Sequence, residues 1–253
     1  MSNVIAIAQK ELRSYFASPV GFVITGLFAL LFGWFFYNYL NYFVMASEQM
    51  MMGGGTPNVN LHMISGLLQN AAVIILFIMP MITMRTYAEE KRSGTIELLL
   101  TSPVSDVQII LGKFFGAMGL YAAMLLVTVL YISILFFLGN PEWKPIFAGY
   151  LGMLLMGGCF ISVGLLVSSL TKNQIVAGIA TFAVFLFLWV INWIGENAGS
   201  TTREIVNYLS ITEHFTDFAR GIIDTKHVVY YLSFITFGLF LTAKSVDSER
   251  WRG

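Results

Sequence analysis

Apolar residues run along this chain in long unbroken stretches, with the polar residues confined between them. No Asp, Glu, Lys or Arg occurs in 14–47, 49–84, 114–141, 145–171 or 173–195, and a shorter gap covers 227–243. A helix needs about 20 apolar residues to cross about 30 Å of hydrocarbon. The pattern therefore predicts six spans, at 20–44, 66–84, 114–138, 146–170, 174–195 and 228–243. The second gap outlasts its span because 49–65 is polar without charge and holds the turn-rich stretch Gly53 to Asn58. Strands of a membrane barrel would alternate over about ten residues. These runs are apolar on every face, which suits helices, whose backbone polar groups are satisfied internally.

The segments between the spans predict further elements. Over 2–18, Ile5, Ala8, Leu12, Tyr15 and Phe16 recur at helical spacing, with Gln9, Lys10 and Arg13 on the other side. Such a helix lies at a membrane surface with one face in the headgroup boundary, although an ordinary polar cap is also open. Ser18-Pro19 ends it, because the residue before proline disfavours helix. The 85–113 segment continues span two through a charged stretch, breaks at Gly94, and forms a short apolar patch from Ile96, Leu98, Leu99 and Leu100. Ser102-Pro103 stops that patch, and Ser105 with Gln108 three residues on reads as a capping box for the third span. An apolar patch outside the bilayer calls for lipid or a protein partner, and the residues leave both readings open. The 196–227 segment mixes Ile205, Leu209, Phe215, Phe218 and Ile222 with charges, which predicts one or two short amphipathic helices. They either cap a pathway or rest on lipid.

Composition sharpens this picture. Of 253 residues, 57% are apolar and 11% are charged, against about 25% charged in an ordinary soluble chain. That excludes a soluble enzyme, a disordered chain and a nucleic-acid binder, which would need a basic excess; net charge is zero. Placing both chain ends in the cytoplasm puts ten basic residues inside and four outside, so both termini are expected to be cytoplasmic. No removable leader is expected ahead of the first span. The expected fold is an all-α integral membrane protein forming one domain over 1–253. Within it, 1–19 is an interfacial helix, 20–195 holds spans one to five, 196–227 is an outer amphipathic segment, and 228–253 is span six with its tail.

Reactive chemistry is scarce. All 28 charges are expected outside the spans, which argues against an ion-coupled transporter with an intramembrane carboxylate relay. A His-Glu-x-x-His zinc motif and a phosphate-binding Gly-x-x-x-x-Gly-Lys-Ser/Thr loop are both missing, so the chain is expected to bind no cofactor of its own. Met45, Met50, Met51, Met52 and Met63 gather near His62; thioethers suit Cu(I), but methionine is also apolar filler. Gly112 with Gly116, and Gly157 with Gly158, are small residues of the kind that let membrane helices pack closely, within one chain or between two.

The run Tyr87-Ala-Glu-Glu-Lys-Arg-Ser-Gly-Thr-Ile-Glu-Leu-Leu-Leu-Thr-Ser-Pro-Val-Ser-Asp106, followed by Ile110-Leu-Gly-Lys113, resembles the signature of ABC-2 type transporter permeases. The run Gly164-Leu-Leu-Val-Ser-Ser-Leu-Thr-Lys-Asn-Gln174 is similar too. Lys10-Glu11, Ser18-Pro-Val-Gly-Phe22 and Phe215-x-x-Phe218-Ala-Arg-Gly-Ile-Ile-Asp224 look most like the gliding-motility-associated branch, with the nitrous-oxide reductase maturation permeases more distant. The resemblance implies a permease of the bacterial inner membrane that works as a pair, with itself or with a related permease. Two separate ATPase subunits, which bind ATP and Mg, would dock beneath it. The coupling helix would comprise Glu89, Glu90, Lys91, Arg92, Gly94, Thr95, Ile96, Glu97, Leu98, Leu99, Leu100, Ser102 and Pro103, with the interfacial helix carrying Lys10, Glu11 and Arg13 nearby. It also implies either export or mechanical work on a periplasmic or membrane accessory protein. A non-transporting scaffold of an envelope complex is the alternative.

Overall fold

The structure, a computed structural model, describes residues 2–52, 58–100, 103–138, 140–196 and 200–250. Its order is α1 (Ser2–Ala17), α2 (Pro19–Met52), a π-helical turn (Asn60–Ile64) leading into α3 (Ser65–Thr83), α4 (Ala88–Ser93), α5 (Thr95–Leu100), α6 (Asp106–Leu138), α7 (Trp143–Ser169), α8 (Gln174–Glu196), α9 (Ser200–Leu209), α10 (Ile211–Ala219) and α11 (Thr225–Arg250). Six helices are long and apolar enough to cross a bilayer: α2, the continuous run from the π-turn through α3 and α4, α6, α7, α8 and α11. Among the described residues every regular element is helical, so the chain is an all-α membrane protein.

α7 and α3 form the centre. Their most apolar stretches are 72% and 67% buried, against 22% for α8 and α11. Small residues put α7 there. A Cβ on Gly157 would strike the Tyr121 ring of α6, one on Gly158 would meet Ile235 of α11, one on Gly149 would meet Leu68 of α3, and one on Gly152 would meet Phe218 of α10. Without lipid exclusion to drive association, this close packing supplies the attraction.

Helices α2, α6 and α11 extend beyond the predicted spans at one or both ends, and this changes where the charges sit. Lys113 was expected in a loop that ends where span three begins. Instead α6 starts at Asp106, and Lys113 lies two turns inside it, 1% exposed. The capping box is present: the Ser105 amide donates to Gln108 Oε1 (3.3 Å) and the Gln108 amide to Ser105 Oγ (3.4 Å), which fixes this earlier start.

α1 also differs from its predicted setting. The face expected in the headgroups included Ile5, which is exposed, while Val4, Ile7, Ala8, Glu11 and Leu12 lie against α6 at Gly112, Gly116 and Gly119. These glycines let α1 seat directly on α6, so α1 packs on protein along one stripe. Glu11, which the sequence pattern assigned to neither face, is on that packed stripe and is buried.

One end of the bundle carries α1, α4, α5 and the final turns of α7 and α11. The opposite end carries the π-turn, α9, α10 and the start of α11, where the Asn60 side chain exchanges two hydrogen bonds with the Glu142 backbone (2.8 and 2.9 Å). α1 and the C-terminal part of α11 both touch α4, so they lie at the same end.

Candidate docking site on the α4–α5 hairpin

Pro80 lacks the amide hydrogen that would bond Leu76, and the helix gives way soon after it, at Met84–Tyr87. The break is repaired from outside. Ser168 Oγ, at the end of α7, accepts from the amides of Tyr87 (3.0 Å) and Ala88 (3.1 Å) and donates to the Met84 carbonyl (3.0 Å). α4 then starts with its orphan donors satisfied. Gly94, at φ 73°, turns the chain into α5, a left-handed conformation in which glycine has no Cβ penalty.

The inner face of this hairpin is clamped on two sides. Lys113 Nζ donates to Glu90 Oε1 (2.7 Å), to Glu11 Oε1 (3.2 Å) and to the Thr86 carbonyl (2.9 Å), and lies 5.0 Å over the Tyr87 ring. Lys10 reaches the same two carboxylates at 3.1 and 3.5 Å. One cluster thus ties α1, α4 and α6 together. Burial pushes the Glu11 carboxyl up, but Lys113 and Lys10 outweigh it, so the group sits below its ordinary value. Burial works against the charge on Lys10, yet Glu11 and Glu90 hold its ammonium above its usual value. Tyr15 donates to the Ile82 carbonyl (3.0 Å) under the Arg85 guanidinium, and burial raises its hydroxyl to about 12.

On the second side, Lys91 donates to the Ser169 carbonyl and pairs with Glu249 Oε1 at 2.6 Å, while Ser169 and Ser245 share a 2.8 Å hydrogen bond. Ile96 is buried. Glu89 and Thr95 are exposed at the rim of the gap facing α1, and Arg92, Gly94, Glu97 and Leu98 are exposed on the outer side, Leu98 at 73%. Pro103 is exposed beyond the hairpin, and Arg13 is exposed on α1. Ser102 and the side chains of Leu99 and Leu100 lie outside the described residues. Between α1 and α4 a polar cavity of about 400 Å³ is lined by Lys10, Glu11, Tyr15, Arg85, Glu89 and Glu90. Glu90 Oε2 is buried there without a hydrogen-bond partner among the described residues.

A family model described as ABC-2 family transporter protein matches residues 5–243. The chain belongs to the ABC-2 transporter family. It is thereby a transmembrane component of ABC transport, multi-pass and not itself catalytic, and ABC-2 permeases work with ABC ATPase partners. No curated protein matches the sequence.

Several residues that organise this ABC-2 site did not stand out in the sequence. Lys113, Ser168 and Ser169 fell within the runs that carry the family resemblance but were given no role of their own, and Glu249 was a charge of the tail. Their roles arise from contacts between residues 23 to 158 apart in the chain, which no local pattern records.

Proposed function

We propose that this chain is the permease subunit of an ATP-driven ABC-2 transporter, and that the α4–α5 hairpin is where an ATPase subunit docks. One observation supports the site above all: the hairpin is held rigidly from within and left open outside. Lys113, Lys91 and Ile96 fix its inner face, while Arg92, Glu97 and Leu98 are exposed on the other side. Force applied to such a hairpin passes into α1, α6, α7 and α11 instead of being absorbed by a loose loop. ATP and Mg belong to the partner. On this reading α1, α4 and α5 are cytoplasmic in a bacterial inner membrane, two permease copies form the complex, and 1–253 is a single domain. The motifs around Lys10, Pro19 and Phe218 favour the gliding-motility-associated branch. The transporter's work is export or mechanical action on an envelope partner.

The test is co-purification of the full complex from native membranes. Leu98→Asp with Arg92→Glu should release the ATPase while leaving the permease monodisperse. Retention of the ATPase in that variant would overturn the docking assignment. Repeated recovery of the wild-type chain with no ATPase would overturn the transporter reading in favour of a scaffold.

A further inference from the structure

At the opposite end of the bundle, two imidazoles meet head to head. His214 of α10 and His227 in the first turn of α11 place their Nδ1 atoms 2.6 Å apart. His214 Nε2 lies 2.9 Å from the Tyr208 carbonyl of α9, and His227 Nε2 lies 2.8 Å from Asp217 Oδ2 of α10. Both rings are buried at 6% exposure, and His214 stacks on Tyr230 with centroids 3.7 Å apart.

Counting hydrogens fixes the charge. A carbonyl only accepts, so His214 Nε2 carries a proton. The partly exposed Asp217 carboxylate only accepts when ionised, so His227 Nε2 carries one as well. Two facing Nδ1 lone pairs at 2.6 Å repel, and that contact requires a third. Two neutral imidazoles hold two protons between them. The arrangement therefore contains one proton more than two neutral rings and a carboxylate would.

We propose that His214, His227 and Asp217 form a proton-binding site that latches α9 and α10 onto α11, and that loss of the shared proton opens the latch. This goes beyond the ABC-2 reading and does not depend on it.

Burial pushes the His214 ring below its ordinary value, against the effect of its bond to the Tyr208 carbonyl. The Asp217 carboxylate, 2.8 Å from His227 Nε2, is the negative charge in contact with the pair. Other ionisable groups nearby are Glu213 on α10, Asp224 just before α11, Lys226 and the hydroxyls of Tyr230 and Tyr231 on α11, and Tyr208 on α9. The α7 surface against α10 supplies Gly149 and Gly152, which do not titrate. Tyr230 and Tyr231 donate to the Leu209 and Ile211 carbonyls (both 2.9 Å), so the same α11 turns grip both short helices. The Nδ1–Nδ1 hydrogen bond exists only while the third proton is bound, so it is present at low pH and absent once that proton leaves. The stabilisation it gives is thus lost as pH rises. Helix α10 also walls a cavity of about 350 Å³ with Gln69, Asn70 and Trp189, so opening the latch reshapes that cavity.

The chain has three histidines, which makes a direct test tractable. The full-length protein, labelled with 15N-histidine and held in lipid nanodiscs, is titrated from about pH 5 to about pH 9 by NMR. His62 serves as the internal reference. The expected result is one coupled His214–His227 transition, with three protonated nitrogens below it and two above. Independent titration of both rings alongside His62 would overturn the proposal. In parallel, hydrogen exchange protection at 208–214, corrected for intrinsic rates, should fall about tenfold across the transition, the equivalent of one pKa unit. His227→Gln should abolish that pH dependence and His62→Gln should leave it intact. PH-independent protection in the wild-type chain would also sink the latch, whether or not the variants fold.

Discussion

Lys113 Nζ of α6 stands 2.7 Å from Glu90 Oε1 of α4, so the helix that follows the α4–α5 hairpin is tied back to the hairpin's first limb. The ammonium has three donors and uses them on Glu90, Glu11 and the Thr86 carbonyl. Removing one partner of a buried pair strands the other in low dielectric, which costs about 3–5 kcal/mol. Lys113→Met should therefore lower the thermal midpoint of the chain in nanodiscs sharply. Adding Glu90→Gln and Glu11→Gln should recover most of the loss, because the uncompensated carboxylates are then gone. Equal stability of the single and triple variants would show that the pairing contributes nothing.

The same cluster sets a pH dependence of known sign. The Glu11 carboxyl is below its ordinary 4.5 in the folded chain, so it binds fewer protons folded than unfolded near that pH. Its contribution is present above the unfolded value and is lost as pH falls through the folded one. Acidification below pH 4.5 should loosen α1 from α6 before the bundle unfolds. Limited proteolysis of α1 across an acid series reads this directly. Glu11→Gln should remove the acid step and leave α1 equally loose at every pH.

Gly116 carries the seat of α1. A Cβ built there would lie 2.6 Å from Glu11 Cβ and 3.2 Å from the Ala8 carbonyl. Overpacking of this kind costs about 1–3 kcal/mol. Gly116→Val should lift α1, raise amide exchange in residues 4–12, and weaken the Glu11–Lys113 contact. Gly26→Val, where nothing lies within 4 Å of the added atom, is the matched control and should change none of these.

Ser168→Ala deletes a single oxygen that satisfies two buried amides. Each orphaned donor costs about 1–3 kcal/mol. Hydrogen exchange at Tyr87 and Ala88 should accelerate by an order of magnitude or more, while exchange in the middle of α7 stays unchanged. If those two amides remain protected, the helix break is held by something other than Ser168.

The architecture was legible because a bilayer imposes one strong rule: charges leave the span. That rule located six helices, and the low helix propensity of glycine located the break at Gly94. The charge rule also misled at Lys113, since a lysine can stay within a helix when two carboxylates, a carbonyl and an aromatic face meet it. Periodicity placed α1 as an amphipathic helix and even its polar side, but could not tell lipid from the glycine-lined surface of α6. The histidine pair was visible only as two residues near a loop. Their meeting depends on α10 folding back against α11, which no spacing in the sequence encodes.

Helix α7 runs from Gly152, pressed on Phe218 of α10, to Ser168, which stitches the start of α4. The 16 steps along the helix from one to the other span about 24 Å at 1.5 Å per residue. The helix is the most buried of the six and carries no charged residue after Lys144. The two ends of this molecule, one crowded with salt bridges and the other with imidazoles, therefore lean on one and the same helix.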